Sequence, residues 1–164
     1  MRYLFLDSKA KQLIVFLFVT SALSGCGDDE IVKPDPLPTV INAVIRTSDK
    51  INPDNDGRPS PLVVRTYELK ALGTFESADF YTLFDNHEAL LGTDLVASEK
   101  FHLQPGESKK FVRAPPAETK FFAVTAAYRD LNQAVWKDVL NIPQSKTTEI
   151  IILVDELAVS IWRK

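Results

Sequence analysis

The most constraining feature of this sequence is residues 52–69, where a proline-rich loop leads directly into a strand. The first ten residues read Asn-Pro-Asp-Asn-Asp-Gly-Arg-Pro-Ser-Pro. Prolines cannot donate to a β-ladder, and Gly57 tolerates a positive φ, so this half is predicted to be a loop. The second half, residues 62–69, is rich in β-branched and aromatic residues and is predicted to be a strand. A loop longer and stiffer than a hairpin needs is expected to contact a partner.

The amino terminus has the pattern of an export signal. Arg2, Lys9 and Lys11 precede an apolar segment, residues 13–23, and small residues follow it. This order of basic, apolar and small residues is typical of a secretory signal peptide. The alternative is a transmembrane anchor, but the segment is shorter than the roughly 20 residues needed to span a bilayer.

Cys26 is the only cysteine in the chain, so no disulfide can form within it. The sequence Leu23-Ser24-Gly25-Cys26 resembles the lipobox of bacterial lipoproteins. That resemblance implies cleavage before Cys26, a diacylglycerol on its sulfur and acylation of its new amino group. Several acyl chains give stable membrane anchoring. Gly27, where Asp would favour inner-membrane retention, implies the outer membrane; the alternative is a cysteine discarded with the signal peptide.

Charge and proline content organise the remainder of the chain. Without residues 1–25 the basic count is 19 − 3 = 16 and the acidic count is 22 − 1 = 21, so the net charge is −5. No basic patch stands out, which argues against a nucleic-acid partner. Three alternating prolines make residues 27–39 a semi-rigid tether of roughly 40 Å. The predicted organisation is a signal peptide over 1–25, a lipidated cysteine and tether over 26–39, and one domain over 40–164.

The domain is predicted to be all-β with one helix. Short segments with strand composition are separated by proline and glycine turns, a pattern that favours a β-sandwich. Short connections favour antiparallel pairing. The predicted strands are residues 40–47, 62–69, 95–103, 108–113, 120–129, 134–139, 147–154 and 157–163.

The helix is predicted over residues 74–86, with Thr74 or Ser77 as its cap. Its apolar side chains fall on one face at helical spacing, which is typical of a helix packed on a sheet. They are Phe80, Leu83, Phe84 and His87.

The loop also resembles the opening of a calcium site. Asn52, Asp54 and Asp56 supply oxygens at positions 1, 3 and 5, and Gly57 occupies position 6. Position 12 is Val63 rather than the bidentate Glu that closes such a loop. A turn built from Asx side chains bonding their own backbone explains the same residues without a metal. A lipoprotein that binds calcium or a small ligand through residues 48–61 remains the alternative function.

Motifs for catalysis are absent from the sequence. His87-Glu88 begins like a zinc-protease motif, but Leu91 occupies the position of the second ligand, and His102 is the only other histidine. No nucleophile elbow, phosphate-binding loop or dinucleotide fingerprint is present. A hydrolase built on two acidic residues is the third hypothesis, and it requires a buried pair with perturbed pKa values in a cleft. We therefore predict no enzyme activity, no metal and no cofactor besides the lipid on Cys26.

Residues 52–69 resemble the signature of the TssJ (SciN-type) outer-membrane lipoproteins of bacterial type VI secretion systems. The matching pattern is Asn-Pro-Asp-x-x-Gly-Arg-Pro-Ser-Pro-Leu-Val-Val-Arg-x-Tyr-x-Leu. Further matches in the same order include Leu91-Gly92-x-Asp94-Leu95, Leu103-x-Pro105-Gly106 and Tyr128-Arg129-Asp130. With the lipobox they span nearly the whole chain.

This resemblance implies a transthyretin-like antiparallel β-sandwich of about eight strands, with an added helix and a protruding loop between the first two strands. It implies no enzyme activity and no small-molecule substrate. It places the domain in the periplasm, tethered to the outer membrane. The implied partner is the periplasmic carboxy-terminal region of TssM, with TssL in the same complex, and residues 48–61 contribute to TssM binding.

Within that loop the predicted partner-binding residues are Asn52, Asp54, Asp56, Arg58, Pro59 and Ser60. The prolines reduce the entropy lost when the loop binds. Arg58 is the expected anchor, because a guanidinium suits carboxylates at an interface. The alternative for Arg58 is an intramolecular pair with Asp54 or Asp56 that shapes the loop.

Overall fold

The computed structural model describes residues 37–164. The signal peptide, Cys26 and most of the predicted tether lie outside the described residues. The described part contains eight strands and two α-helices. The strands are β1 (Val40–Thr47), β2 (Leu62–Leu69), β3 (Leu95–Leu103), β4 (Ser108–Arg113), β5 (Phe121–Ala126), β6 (Lys137–Asn141), β7 (Thr147–Val154) and β8 (Val159–Arg163).

The strands form two four-stranded sheets that pack as a sandwich. The first sheet has the order β4-β1-β7-β8 and the second has the order β3-β2-β5-β6. The predicted sandwich is confirmed, and β1, β2, β3, β4 and β7 have the predicted bounds. Because β1 and β2 belong to different sheets, residues 48–61 cross from one sheet to the other.

One strand pair is parallel, which differs from the expected antiparallel pairing. β1 and β7 run in the same direction, with Val40 opposite Thr147 and Thr47 opposite Val154. All other strand pairs are antiparallel. Short connections restrict direction only between strands that are neighbours in sequence. β1 and β7 are separated by most of the domain, so no turn constrains their relative direction.

The core lies between the sheets and follows from the two-residue alternation of the strands. Ile41 and Ile45 of β1 and Ile150 and Ile152 of β7 are fully or almost fully buried. They belong to one cluster with side chains from the second sheet, such as Val124. Their neighbours along each strand point outward, so the first sheet has one buried face and one outward face.

The predicted single helix is two helices, α1 (Gly73–Ser77) and α2 (Phe80–Leu91), followed by a short 3₁₀ helix (Gly92–Asp94). Ala78 between them is extended, with φ −68° and ψ 139°. Asp79 rather than Thr74 or Ser77 caps α2, because its Oδ1 accepts from the Thr82 amide at 3.0 Å. The predicted cap was therefore wrong.

A distant lysine explains the break between the helices. Lys137 at the start of β6 donates from Nζ to the carbonyl oxygens of Phe75, Glu76 and Ala78, at 3.1, 2.7 and 3.0 Å. These carbonyls end α1 and would otherwise lack partners. Desolvation by burial lowers the pKa of Lys137. Helix α1 therefore ends where the side chain of Lys137, some sixty positions later in the sequence, forms hydrogen bonds with its last carbonyl groups.

Both helices pack on the outer face of the second sheet, as the apolar stripe predicted. Leu83 and Phe75 are buried against Tyr67 and Leu69 of β2. None of the helices in the described part of the chain has the length and apolarity that crossing a membrane requires.

Strand directions place the two chain ends of β1 at opposite ends of the sandwich. Val40 lies at the end where β7 also begins, and Thr47 lies at the end where β7 finishes. Residues 48–61 therefore project from the end remote from the start of β1. The turns at residues 104–107 and 155–158 and the segment 127–136 lie at this same end.

Candidate partner-binding loop

Residues 48–61 divide into a buried base and an exposed tip. The base comprises Ile51, Asn52 and Ser60, all buried. The tip comprises residues 53–59, of which residues 55–59 are exposed. The two parts differ in what holds them in place.

Asn52 is the central residue of the base. Its Nδ2 donates to the Pro61 carbonyl at 2.9 Å, and its Oδ1 accepts from the Arg129 amide at 2.8 Å. Its own amide donates to the Glu156 carbonyl at 2.9 Å. Its φ is +49°, a conformation that Asn tolerates better than most residues. Because it is 3% exposed, these bonds are formed away from water.

Ile51 and Ser60 close the base. The Ser60 amide donates to the Ile51 carbonyl at 3.0 Å, which brings the two arms of the loop together. Ile51 is fully buried and belongs to the main core cluster. The base is therefore an extension of the sandwich core, and the tip begins where that core ends.

Asp54 organises the tip through its own neighbours. Its Oδ1 accepts from the amides of Asp56 and Arg58, both at 2.9 Å. The Gly57 amide donates to the Asp54 carbonyl at 2.9 Å, and Gly57 has a φ of +76°. The hydrogen bond from the Arg58 amide is the main cause that lowers the pKa of Asp54. The predicted Asx turn is present.

Arg58 forms ion pairs with both Asp54 and Asp56, which the sequence had given as an alternative to a role as anchor. Its Nε lies 2.8 Å from Asp54 Oδ2, and an Nη lies 2.9 Å from Asp56 Oδ2. Even so, 73% of the Arg58 side chain remains exposed. The pairs therefore orient the guanidinium without hiding it, and the remaining N–H groups face solvent.

The same pairs bear on the calcium alternative. Both oxygens of Asp54 already accept hydrogen bonds from Arg58 or its neighbours. A guanidinium lies where a cation would have to bind. Within residues 37–164, no three His, Cys, Asp or Glu side chains come together as a group that could hold a metal ion.

The loop brings the six predicted partner-binding residues together but exposes them unequally. Asp56, Arg58 and Pro59 are exposed and Asp54 is half-buried. Asn52 and Ser60 are buried in the base. This arrangement makes the first four the side chains that a partner can reach, and it makes Asn52 and Ser60 residues that position them.

Two residues that support the base had no predicted role. Arg129 supplies the amide that binds Asn52 Oδ1. Tyr128, 3% exposed, donates from its hydroxyl to the Asp155 carbonyl at 3.1 Å. Both belong to the Tyr128-Arg129-Asp130 sequence that carried the resemblance. The motif marked these residues in the sequence, but it did not indicate that they contact the loop at residues 48–61.

A separate cluster of charged side chains lies between the two sheets, at the edge formed by β3 and β4. Arg113 contacts the carboxylate of Glu99, and its Nε lies 3.9 Å from Glu68 Oε1. These side chains line a cavity of about 310 Å³. Burial raises the pKa of Glu68. Because a guanidinium lies between the two carboxylates, the arrangement is an ion-pair network rather than the proton-sharing pair that a hydrolase requires.

Comparison with known proteins identifies similar sequences and folds. The family model described as type VI secretion lipoprotein, VasD, EvfM, TssJ matches residues 39–157. The crystal structure of the T6SS lipoprotein TssJ1 from Pseudomonas aeruginosa is 35% identical, with a TM-score of 0.75, and the match covers 77% of this chain and 97% of that one. No curated protein matches the sequence.

Two further structures are similar. A chain of the structure described as the T6SS protein TssM C-terminal domain from EAEC is 29% identical, with a TM-score of 0.62, covering 74% of this chain and 99% of that one. A chain of the structure described as a type VI membrane complex is 27% identical, with a TM-score of 0.65, covering 77% of this chain and 98% of that one.

Proposed function

Because this chain belongs to the TssJ family of type VI secretion lipoproteins, we propose that it is a non-catalytic outer-membrane lipoprotein of a type VI secretion system. In this role its lipidated Cys26 anchors the β-sandwich to the membrane, and residues 48–61 bind the periplasmic carboxy-terminal region of TssM. TssL completes the same envelope complex.

The observation that carries this proposal is the ordered and exposed tip of the loop. Asp54 fixes the backbone of residues 54–58 by hydrogen bonds, and Arg58 and Asp56 project from it paired and solvent-exposed. A loop that is already ordered loses less entropy on binding. The buried base ties this conformation to the core through Asn52.

The comparisons support the choice of partner. A chain similar to this one occurs in a structure described by the TssM C-terminal domain, and another occurs in a type VI membrane complex. The position of the loop is compatible with bridging, since it projects from the end of the sandwich remote from the start of β1. An anchor that precedes β1 and a partner at the loop would therefore act at opposite ends of the domain.

Removal of the tip tests the loop's role. The Asp54 amide bonds the Arg58 carbonyl at 2.9 Å, so residues 54–58 can be replaced by two glycines without stretching the base. We expect this variant to bind the purified TssM carboxy-terminal region at least about tenfold more weakly, while its thermal transition changes little. The control is Lys100→Glu, a charge change on the exposed surface of β3. An unchanged dissociation constant for the shortened loop would remove it from the interface.

Lipid anchoring has its own test. Cys26→Ser leaves no sulfur to acylate, so we expect the mature domain in the soluble periplasmic fraction and a loss of type VI secretion. The same variant should still bind TssM in solution, because the loop is unchanged. Secretion at the normal level from the soluble variant would contradict the anchoring role.

A further inference from the structure

The two sheets differ in how their outer faces are covered. Within residues 37–164, both helices pack on the outer face of the second sheet. The outer face of the first sheet keeps its apolar side chains accessible. Val112 of β4 is 62% exposed and Trp162 of β8 is 40% exposed. Exposed apolar side chains grouped on one face indicate an interaction surface more strongly than isolated ones do.

The register places these residues in one band across all four strands. Val44 of β1 lies opposite Ile151 of β7, which lies opposite Trp162 of β8. On the other side, Val112 pairs with Asn42, one outward position from Val44. Val44 and Ile151 form the floor of a shallow groove of about 570 Å³. Val112 lines this groove, and Trp162 lies beside Ile151 on the neighbouring strand β8.

Basic side chains surround this apolar band. Arg46, Lys110 and Lys164 lie on the same face and are exposed. Glu149 is the acidic residue among those that line the groove, and its Oε2 lies 3.7 Å from Lys164 Nζ. Three basic residues against one acidic residue give this face a net charge of +2, whereas the chain as a whole has a net charge of −3. The charge is thus opposite in sign to that of the molecule.

The apolar side chains and the positive charge of this face together restrict which partner could bind to it. A second copy of the chain would place two positive faces together, which is unfavourable. An anionic phospholipid surface fits both features, because Trp is favoured at the boundary between headgroups and acyl chains and Lys and Arg are attracted to anionic headgroups.

Tethering strengthens this choice. Ten residues separate Cys26 from Leu37, so a lipid on Cys26 would hold Leu37 within at most about 40 Å. A domain confined so close to a membrane meets it at high effective concentration, so a modest surface is sufficient. This argument depends on the lipid anchor of the proposed function.

We propose that the outer face of the β4-β1-β7-β8 sheet is a membrane-contact surface that binds anionic phospholipid bilayers. Val112 and Trp162 enter the headgroup region, and Arg46, Lys110 and Lys164 bind the phosphates. The contact leaves the loop at residues 48–61 accessible, because the loop projects from one end of the sandwich rather than from this face.

The test uses the mature chain with Cys26→Ser, so that no acyl chain contributes to binding. Sedimentation with vesicles of phosphatidylethanolamine and phosphatidylglycerol is compared with sedimentation with vesicles of phosphatidylcholine. We expect binding only to the anionic vesicles, weakened by salt. In a chain that also carries Trp136→Phe, which leaves Trp162 as the sole tryptophan, we expect brominated lipids to quench the fluorescence. The double variant Arg46→Glu, Lys110→Glu should bind at least about tenfold more weakly.

The matched control is the double variant Lys100→Glu, Lys120→Glu, which makes the same charge change at exposed positions elsewhere. Equal losses in both double variants would overturn the proposal, since they would reflect net charge alone. So would equal binding to both kinds of vesicle, or fluorescence of Trp162 that brominated lipids do not quench. Self-association abolished by Val112→Asp would instead assign the face to a second copy. TssM affinity measured on the same Cys26→Ser chain reports on the loop independently.

Discussion

The base and the tip of residues 48–61 are adjacent in sequence, yet their hydrogen bonds connect them to different parts of the chain. Asn52 in the base makes its bonds to distant parts of the chain, at Arg129 and Glu156, and is almost completely buried. Asp54 in the tip accepts hydrogen bonds from residues two and four positions away and is half-buried. The comparison indicates that tertiary contacts hold the base, and the tip is the part that we propose contacts the partner. Substitutions in the two parts should therefore have separable effects.

The largest effect is expected from Asn52→Ala. It leaves the Arg129 amide and the Pro61 carbonyl without partners, and it places Ala at a positive φ. We expect a loss of about 3 kcal/mol in the free energy of unfolding, measured by urea denaturation. Asn52→Gly removes the same bonds without the strain and should lose less. A loss below about 0.5 kcal/mol for Asn52→Ala would mean that the base does not stabilise the sandwich.

A smaller effect is expected from Gly57→Ala in the tip. Its φ of +76° strains any side chain, although no heavy atom lies within 4 Å of the new Cβ. We expect a loss of about 1–2 kcal/mol in the free energy of unfolding. Gly73→Ala is the matched control, because it also adds a Cβ in open space but lies in α1, where Ala is favoured. A loss from Gly57→Ala as large as that from Asn52→Ala would contradict the division of the loop.

Acid should loosen the tip and leave the base intact. The pKa of Asp54 is lowered, chiefly by the Arg58 amide, so ionised Asp54 stabilises the tip. This contribution is complete above the ordinary carboxyl pKa and is lost as the pH falls through the lowered value. Amide chemical shifts of Asp56 and Arg58 should change over that range, and those of Asn52 should not. Asp54→Asn, which retains an acceptor, should remove the pH dependence; simultaneous changes in base and tip would refute local control.

The smallest stability effect is expected from Arg58→Ala. An exposed ion pair contributes little, so the free energy of unfolding should change by less than about 0.5 kcal/mol. Binding to TssM should nevertheless weaken, as titration calorimetry can measure. Arg58→Lys retains the charge but not the planar fork and should recover only part of the affinity. Full affinity in Arg58→Ala would leave the guanidinium with a role in loop shape alone.

Local patterns predicted much of this fold. Strand bounds were right where alternation and turn residues agree, as for β1, β2 and β7. The Asx turn at Asp54 followed from its neighbours in sequence. The break before α2 was not predicted, because one of the groups that stabilise it, Lys137, binds the end of α1 from β6. The parallel direction of β1 and β7 could not be predicted either, because no short turn connects these two strands.

The loop shows the same limit at the level of single residues. Its six candidate residues lie in one loop and Arg58 was singled out as the anchor, but the sequence did not indicate that Asn52 and Ser60 are buried. The burial of Asn52 depends on Arg129 and Glu156, which approach only in the folded chain. Local chemistry therefore predicts the shape of the tip, and tertiary contacts decide which side chains a partner can reach.

The course of β1 has a mechanical consequence. The strand enters the sandwich at one end and leaves it at the loop, and it is paired on both sides, with β4 and β7. A pulling force applied ahead of Val40 and resisted at the loop would act along this strand, over about 26 Å for its eight residues. Because both points of the force lie at the ends of one nearly extended strand, the covalent backbone would carry the load, and the hydrogen bonds to β4 and β7 would not be sheared. The domain is thus built to resist tension in the direction in which a tethered linker would be pulled.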